Sequence, residues 1–313
     1  MMNQTETHLN PSNKVMLEGM KDKKIKSQSA SNRRSTILAY VALVVLSVIW
    51  LYPIVWIVLH SFRAEFRDGI FVGIVVSNYF PRSFGLDNFI RLFTMTPFIR
   101  WFFNTLFVAT FSFIFSTVLV LSVAYVMSKL KFKQRKFFLN IAIIIGLFPG
   151  FMSIIAIYYI LKSLNLTETL FALILVYSAG SGLGFYVAKG FFDIIPNSLI
   201  ESARLDGATN AKIFTKIILP ISKPIIIYTA LLSFTGPWMD FIFARVILGE
   251  TNREIHTVAV GLYYMVHGSQ YADGNQFTMF AAGSLIVAIP IVTLFLVMQR
   301  YYIEGVTSGA VKG

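Results

Sequence analysis

Glu201-Ser-Ala-Arg-Leu-Asp-Gly207, followed by Ile217-Ile-Leu-Pro220, is a polar, helix-compatible island between two strongly apolar segments. The chemistry these residues offer is recognition: acid, base and acid held on a short element outside lipid can dock a charged surface. Pro196-Asn197-Ser198 can start a helix, with Asn197 or Ser198 capping the free amides of its first turn. Glu201, Arg204, Leu205 and Ala208 then fall at i, i+3, i+4 and i+7, on one side of that helix. Gly207 permits a sharp bend or the close approach of another backbone. A second helix, Thr209 to Leu219, carries Ile213 and Ile217 on one stripe before Pro220 ends it. On residue types alone an alternative stays open, an amphipathic helix on the membrane surface with Lys212 and Lys216 against anionic headgroups.

Catalytic constellations are missing. No G-x-x-x-x-G-K-[S/T] run is present to cradle nucleotide phosphates, and neither H-E-x-x-H nor G-x-S-x-G occurs. The four histidines, His8, His60, His256 and His267, lack metal-ligand spacing, and Cys is absent. The chain is therefore expected to be no enzyme, to hold no metal or cofactor, and to leave any ATP hydrolysis to a partner.

Asp240 is the one acid inside an apolar span, where a charge is costly. At ~1.5 Å per residue it lies roughly 24 Å along a helix from Pro224, near the outer interface. It is expected either to snorkel or pair with Arg245, or to face a translocation path. Trp238, Asp240 and Tyr263 together offer the stacking surface and hydrogen bonds that sugars favour, although Trp and Tyr also serve as interfacial anchors.

These residues need a membrane scaffold to position them. With 313 residues, 56% hydrophobic and 13% charged, and mean hydropathy +0.69, the chain is far more apolar than a soluble domain, whose charged share is about 25%. A helix crosses the bilayer with ~20 apolar residues. Six segments qualify: Thr36 to Leu59, Phe102 to Met127, Phe137 to Leu161, Leu170 to Val187, Ile225 to Leu248 and Phe277 to Val297. The runs are continuously apolar, which excludes a barrel and makes this an all-α membrane protein with six transmembrane helices. The first run is too long for a cleaved signal peptide and has no small-x-small site after it. Pro149-Gly150 and Gly180-Ser-Gly-Leu-Gly184 interrupt spans three and four, where kinks or close helix contacts are expected.

The net charge of +12 reflects basic residues in the short polar gaps, so it argues for the positive-inside rule and against nucleic acid. With the N-terminus inside, Arg63, Arg67, Arg82, Arg91, Arg100, Lys162, Arg245 and Arg253 fall outside, and every other Lys and Arg falls inside. Both termini are thus expected in the cytoplasm. Residues 1–35, basic and rich in Ser and Asn, read as a disordered cytoplasmic tail; residues 36–304 form the transmembrane domain, with the polar loop at about 189–223, and residues 305–313 a C-terminal tail. In the long first outer segment the run Ile70 to Val76 is too short to cross a bilayer and reads as a packed or interfacial piece.

The island resembles the EAA loop by which permeases of ABC importers grip their ATPase subunits, with Ser202 standing where the simplest pattern has Ala. Gly85-Leu-Asp-Asn-Phe89 resembles the entry to the second span in sugar permeases. Phe280-Ala-Ala-Gly-Ser284, Gln299-Arg300-Tyr301 and the ending Gly305-Val-Thr-Ser-Gly-Ala-Val-Lys-Gly313 look like MalG-like permease subunits for maltose and maltodextrins. The resemblance implies a type I ABC importer permease fold with a cytoplasmic EAA coupling helix, in a prokaryotic cytoplasmic membrane. It implies four kinds of partner: a homologous second permease, two ATPase subunits that bind ATP and Mg, an extracellular sugar-binding protein and an oligosaccharide substrate.

The family's roles fall on matching positions only. Glu201 would contact a basic group on the ATPase, and Gly207 would turn the loop inside the ATPase cleft. Ser202, Asp206, Ile217, Leu219 and Pro220 complete the coupling element, with Ala203, Ala208 and Ala211 as its small contact surface. Thr307, Ser308, Gly309 and Lys312 would reach the ATPase dimer. Gly268, Ser269, Gln270 and Tyr271 would act as a scoop entering the binding protein's sugar site. Two rival classes remain at this level, an ion-coupled secondary transporter and a non-transporting membrane scaffold. The first commonly shows paired repeats with mid-membrane carboxylates, which this sequence does not clearly show.

Overall fold

In lipid a backbone must satisfy its own hydrogen bonds, and the long apolar runs do so as helices. The computed structural model describes residues 11–64, 66–67, 70–71, 80–147, 149–179, 184–267 and 276–310. Two compact units divide the chain, Met1–Trp56 and Ile57–Gly313. The first contributes the larger part of α1 (Pro11–Ser61), whose Ser35–Ser61 portion has a mean hydropathy of 2.6. Helix α1 begins well inside the stretch expected to be irregular. Pro11 sits in its first turn, where a missing N–H costs nothing, and the Lys, Met, Glu and Ala that follow are good helix formers.

The second unit begins with a small hairpin, β1 (Phe66–Arg67) paired antiparallel with β2 (Ile70–Phe71). The apolar run expected at Ile70 to Val76 is strand for its first two residues and otherwise outside the described residues. Helix α2 (Asp87–Met95) follows the Gly85-Leu-Asp-Asn-Phe89 motif, and the contacts give that motif a structural reason. A Cβ on Gly85 would sit 2.8 Å from that of Ala64, and the buried Asn88 amide donates to the carbonyls of Ser61 (3.1 Å) and Arg63 (2.7 Å). The motif fastens α2 to the end of α1.

Helix α3 (Phe98–Lys129) is the centre of the unit. It packs against α6 (Leu170–Ala179), α7 (Gly184–Asp193) and α11 (Lys223–Met239). Between α3 and α6 the chain forms α4 (Arg135–Gly146) and α5 (Gly150–Ser163). The polar loop contains α8 (Asn197–Leu205), α9 (Asn210–Ile213), a π-helical turn at Phe214–Ile218 and α10 (Leu219–Ile221). After α11 come α12 (Ile242–Leu248), α13 (Val258–His267) and α14 (Phe277–Ala310).

Among the described residues four helices are long and apolar enough to cross a bilayer alone, and two bent pairs pass the same test together. The expected third span is one of these pairs. Helices α4 and α5 meet at 103°, because Pro149 has no N–H to continue the ladder and its ψ of 123° leaves helical space. The other pair is Asn210–Ile221 with α11, bent by 87° at Ser222. The fifth span, expected to run unbroken from Ile225 to Leu248, instead ends at Met239 and resumes at Ile242. Asp240, with ψ 116°, turns the backbone out of the helix, and its Oδ1 accepts from the Phe243 amide at 3.0 Å to start α12.

The N-terminal end of α3 holds the connection into α13. Trp101 Nε1 donates to the Arg253 carbonyl at 2.7 Å. Asn104 donates to the carbonyls of Glu254 (2.7 Å) and His256 (3.0 Å), and the Val258 amide donates to Thr105 Oγ1 at 2.8 Å. Gly261 is obligatory here, since a Cβ would lie 2.2 Å from the Trp101 ring. Beside it the Arg245 guanidinium and the Tyr264 hydroxyl, each 2.7 Å from Glu250 Oε1, hold the Glu250 carboxyl below the usual range. His256 is buried, stacked on Tyr264 at 5.4 Å, and sits 3.1 Å from the Gly249 carbonyl. Burial pushes its pKa down.

Two measurements check this clamp. Gly261→Ala should overpack Trp101 and cost about 1–3 kcal/mol, read as a lower Tm of the detergent-purified protein. Because the folded state disfavours His256 protonation, stability is fullest above about pH 6.5, the ordinary His value, and declines as pH falls towards the lowered pKa. His256→Gln should flatten that acid limb of a Tm-against-pH curve.

Candidate functional site

Helix α8 ends as its sequence requires. The Gly207 amide donates to the Arg204 carbonyl at 3.0 Å and the Ala208 amide to the Ala203 carbonyl at 2.9 Å, with Gly207 at φ +77°. This double closure needs a left-handed residue, which Gly supplies without strain. Among the described residues, chain neighbours aside, nothing lies within 4 Å of a Cβ built at Gly207, so the turn stands open. The N-terminus differs from expectation: Pro196 is the capping position and makes no side-chain cap. Asn197 Oδ1 instead accepts from Lys129 Nζ at 3.2 Å.

The loop has two faces. Glu201, Ser202, Arg204, Asp206, Gly207, Ala211 and Pro220 are exposed, and Leu205 stands out from α8 with 89% of its surface open. Ile200, Ala203, Ile213 and Ile218 turn inward, into one apolar cluster with Leu121, Ala124 and Tyr125 of α3 and Phe185, Ala188 and Phe192 of α7. Two expectations are corrected here. Ala203 is buried against its own chain and Ala208 packs beside it, so of the three alanines expected as a contact surface only Ala211 is open. The apolar stripe runs through Ile213 and Ile218, with Ile217 and Leu219 half-buried, because the π-helical turn adds a residue to the step. Pro220 does not stop the helix but sits in α10, and the break comes at Ser222.

Polar contacts lock the loop to the C-terminal end of α3. Ser128 Oγ and Lys189 Nζ both donate to Asp193, each at 2.6 Å. Lys129 Nζ donates to the Ile195 carbonyl at 2.7 Å, and Tyr125 reaches the Asn210 carbonyl at 3.3 Å while its ring packs on Phe214. The sequence reading missed Tyr125, Ser128 and Lys129. Their only signal was position, at the last turn of a span and directly before a basic loop.

The candidate solute contacts are brought together only in part. Trp238 is corrected: it is 3% exposed, packed edge-on to Phe102 at 5.2 Å, and belongs to the core. Asp240 does not pair with Arg245, which binds Glu250 and Tyr264. Its Oδ2 accepts from the Tyr177 hydroxyl at 2.7 Å. Tyr177 also lines a cavity of about 460 Å³ between α3, α5, α6 and α11, along with Ser116 and Ser233, whose hydroxyls are 3.0 Å apart. Tyr263 stacks on Phe241 (4.1 Å) and His267 (4.5 Å). Gly268, Ser269, Gln270 and Tyr271 lie outside the described residues, as does Lys312; Thr307, Ser308 and Gly309 fall in the last turns of α14.

Gly207→Ala should cost about 1–2 kcal/mol of left-handed strain. Hydrogen exchange should show faster opening confined to residues 197–213.

The model of the family described as "Binding-protein-dependent transport system inner membrane component" matches residues 28–307. The galactooligosaccharides transport system permease protein GanQ of Bacillus subtilis is 32% identical over 281 residues, covering 88% of this chain and 95% of that relative. The maltodextrin transport system permease protein MalD of Streptococcus pneumoniae is 33% identical over 277 residues, with shares of 88% and 95%. In fold, a bacterial ABC transporter involved in the import of the acidic polysaccharide alginate matches with a TM-score of 0.73 at 23% identity, covering 87% of this chain and 98% of that one. The architecture is that of a type I importer permease. The chain belongs to the family of binding-protein-dependent transport system inner membrane components, as a multi-pass permease subunit of the ABC importer class.

Proposed function

We propose that this permease forms, with a homologous second permease, the path for a neutral oligosaccharide of the maltodextrin or galacto-oligosaccharide kind. ATP and Mg bind two ATPase subunits docked on the exposed side of α8, where Glu201 meets a basic group and Leu205 enters an apolar recess. An extracellular binding protein delivers the sugar to the face that carries residues 268–271, and residues 307–312 reach the ATPase dimer. This places both termini in the cytoplasm of a prokaryotic cell.

The observation that carries the reading is the joint between loop and spans. Fully burying an isoleucine contributes about 1.5–3 kcal/mol, and Ile200, Ile213 and Ile218 are all buried in the joint. Coupling free energies between sites run to about 1–3 kcal/mol. The joint is thus stronger than the signal it must carry. When ATP closes the partner dimer, α8 and α9 move with α3 and α7 instead of peeling away, and the path changes its side of access.

Glu201→Lys and Gly207→Pro should each lower co-purification of the ATPase by tenfold or more while the permease stays inserted; full retention in both would count against docking. Binding-protein-stimulated ATPase activity in liposomes, run against a panel of sugars, identifies the cargo, and stimulation by maltodextrins or galacto-oligosaccharides is the expected result.

A further inference from the structure

A second cavity, of about 480 Å³, opens at the C-terminal end of α3, between the 130–134 connection, the start of α4 and the side of α8 that carries Ile200, Glu201 and Arg204. Lys129, Lys131, Arg135 and Arg204 line it against one acid, Glu201. The nearby Asp193 is already engaged by Ser128 and Lys189. Arg135 Nε is buried and has no hydrogen-bond partner among the described residues. A buried guanidinium donor left unmade is costly, and the cationic excess of this wall suits an anionic group.

We propose that this cavity binds the phosphodiester of an anionic phospholipid headgroup of the phosphatidylglycerol or cardiolipin type. Depth favours a lipid over a soluble anion. Lys129 is the last residue of the apolar span Phe98–Lys129, and Arg135 the first of the bent pair Arg135–Ser163, so the cavity lies where two membrane segments turn around. Charge favours it as well: Lys129, Lys131, Lys133, Arg135 and Lys136 fall within eight positions counted from the last residue of a span, the pattern that gathers anionic lipid at a cytoplasmic leaflet. Chemistry completes the fit. The Arg135 fork and the Lys131 ammonium suit phosphate oxygens, while Leu130, Phe132 and Ile200 on the same walls suit the glycerol and first methylenes. The inference rests on the inside placement of the loop proposed above. Since Ile200, Glu201 and Arg204 of α8 line the cavity, a bound headgroup would brace α8 against the start of α4.

The test uses the full permease–ATPase complex in nanodiscs, with cardiolipin binding measured by native mass spectrometry against a phosphatidylcholine background. Arg135→Gln combined with Lys131→Gln should weaken cardiolipin binding at least tenfold. Lys212→Gln combined with Lys216→Gln, which removes two charges from outside the cavity, should change it less than twofold. Equal losses in both pairs would mean diffuse surface charge and overturn the site. Displacement of cardiolipin by millimolar inorganic phosphate would assign the cavity to a soluble anion and overturn the lipid. ATPase co-purification, scored on the same samples, separates the two proposals. Intact complex with unchanged cardiolipin binding in the cavity variant sinks only the lipid site, whereas full retention of the ATPase by the Gly207→Pro variant, whose residue does not line the cavity, sinks only docking.

Discussion

The apolar cluster that joins α8 and α9 to α3 and α7 is the contact on which the rest of the molecule depends. A loop held by water-exposed polar contacts alone would flex under load, because exposed ion pairs are worth about 0–1 kcal/mol. Here Ile200, Ile213 and Ile218 are buried beside Phe185, Phe192 and Tyr125, so the loop is an extension of the core. The polar contacts of Ser128, Lys129 and Tyr125 then fix its register, which apolar packing by itself leaves loose. The open side retains what a partner can read: Glu201, the carboxylate of Asp206 and the projecting Leu205.

Much of this architecture was legible in the residues. Long apolar runs, continuous and not alternating, gave helices and excluded a barrel, and Gly207 between a polar helix and a second one gave the bend. What periodicity could not supply was the breaks. Pro149 signalled one plainly. Asp240 did not, because a carboxylate inside an apolar run reads as a buried charge until Tyr177 and the Phe243 amide are seen to satisfy it. The π-helical turn at Phe214–Ile218 was also hidden, and one added residue was enough to move the inward stripe from Ile217 to Ile218.

The candidate site was legible as a segment and less so as a surface. Spacing placed Glu201, Arg204 and Leu205 together, and they do share the exposed side. It could not tell that Ala203 faces its own chain, since small residues fit equally well beneath a partner or against a neighbouring helix. Trp238 shows the same ambiguity in a span: an indole near an acid suggests a sugar platform, yet Phe102 and Phe234 enclose it. Sequence gives the chemistry of a side chain but not the direction in which it points, and direction decided both cases.

The 87° corner at Ser222 makes Asn210–Ile221 a crank set across the shaft of α11. At ~1.5 Å per residue the crank arm is roughly 18 Å long, so a sideways shift of about 3 Å at its Asn210 end corresponds to a turn of about 10°. Sideways motion at the Asn210 end is thereby converted into swivelling of α11 about its own axis.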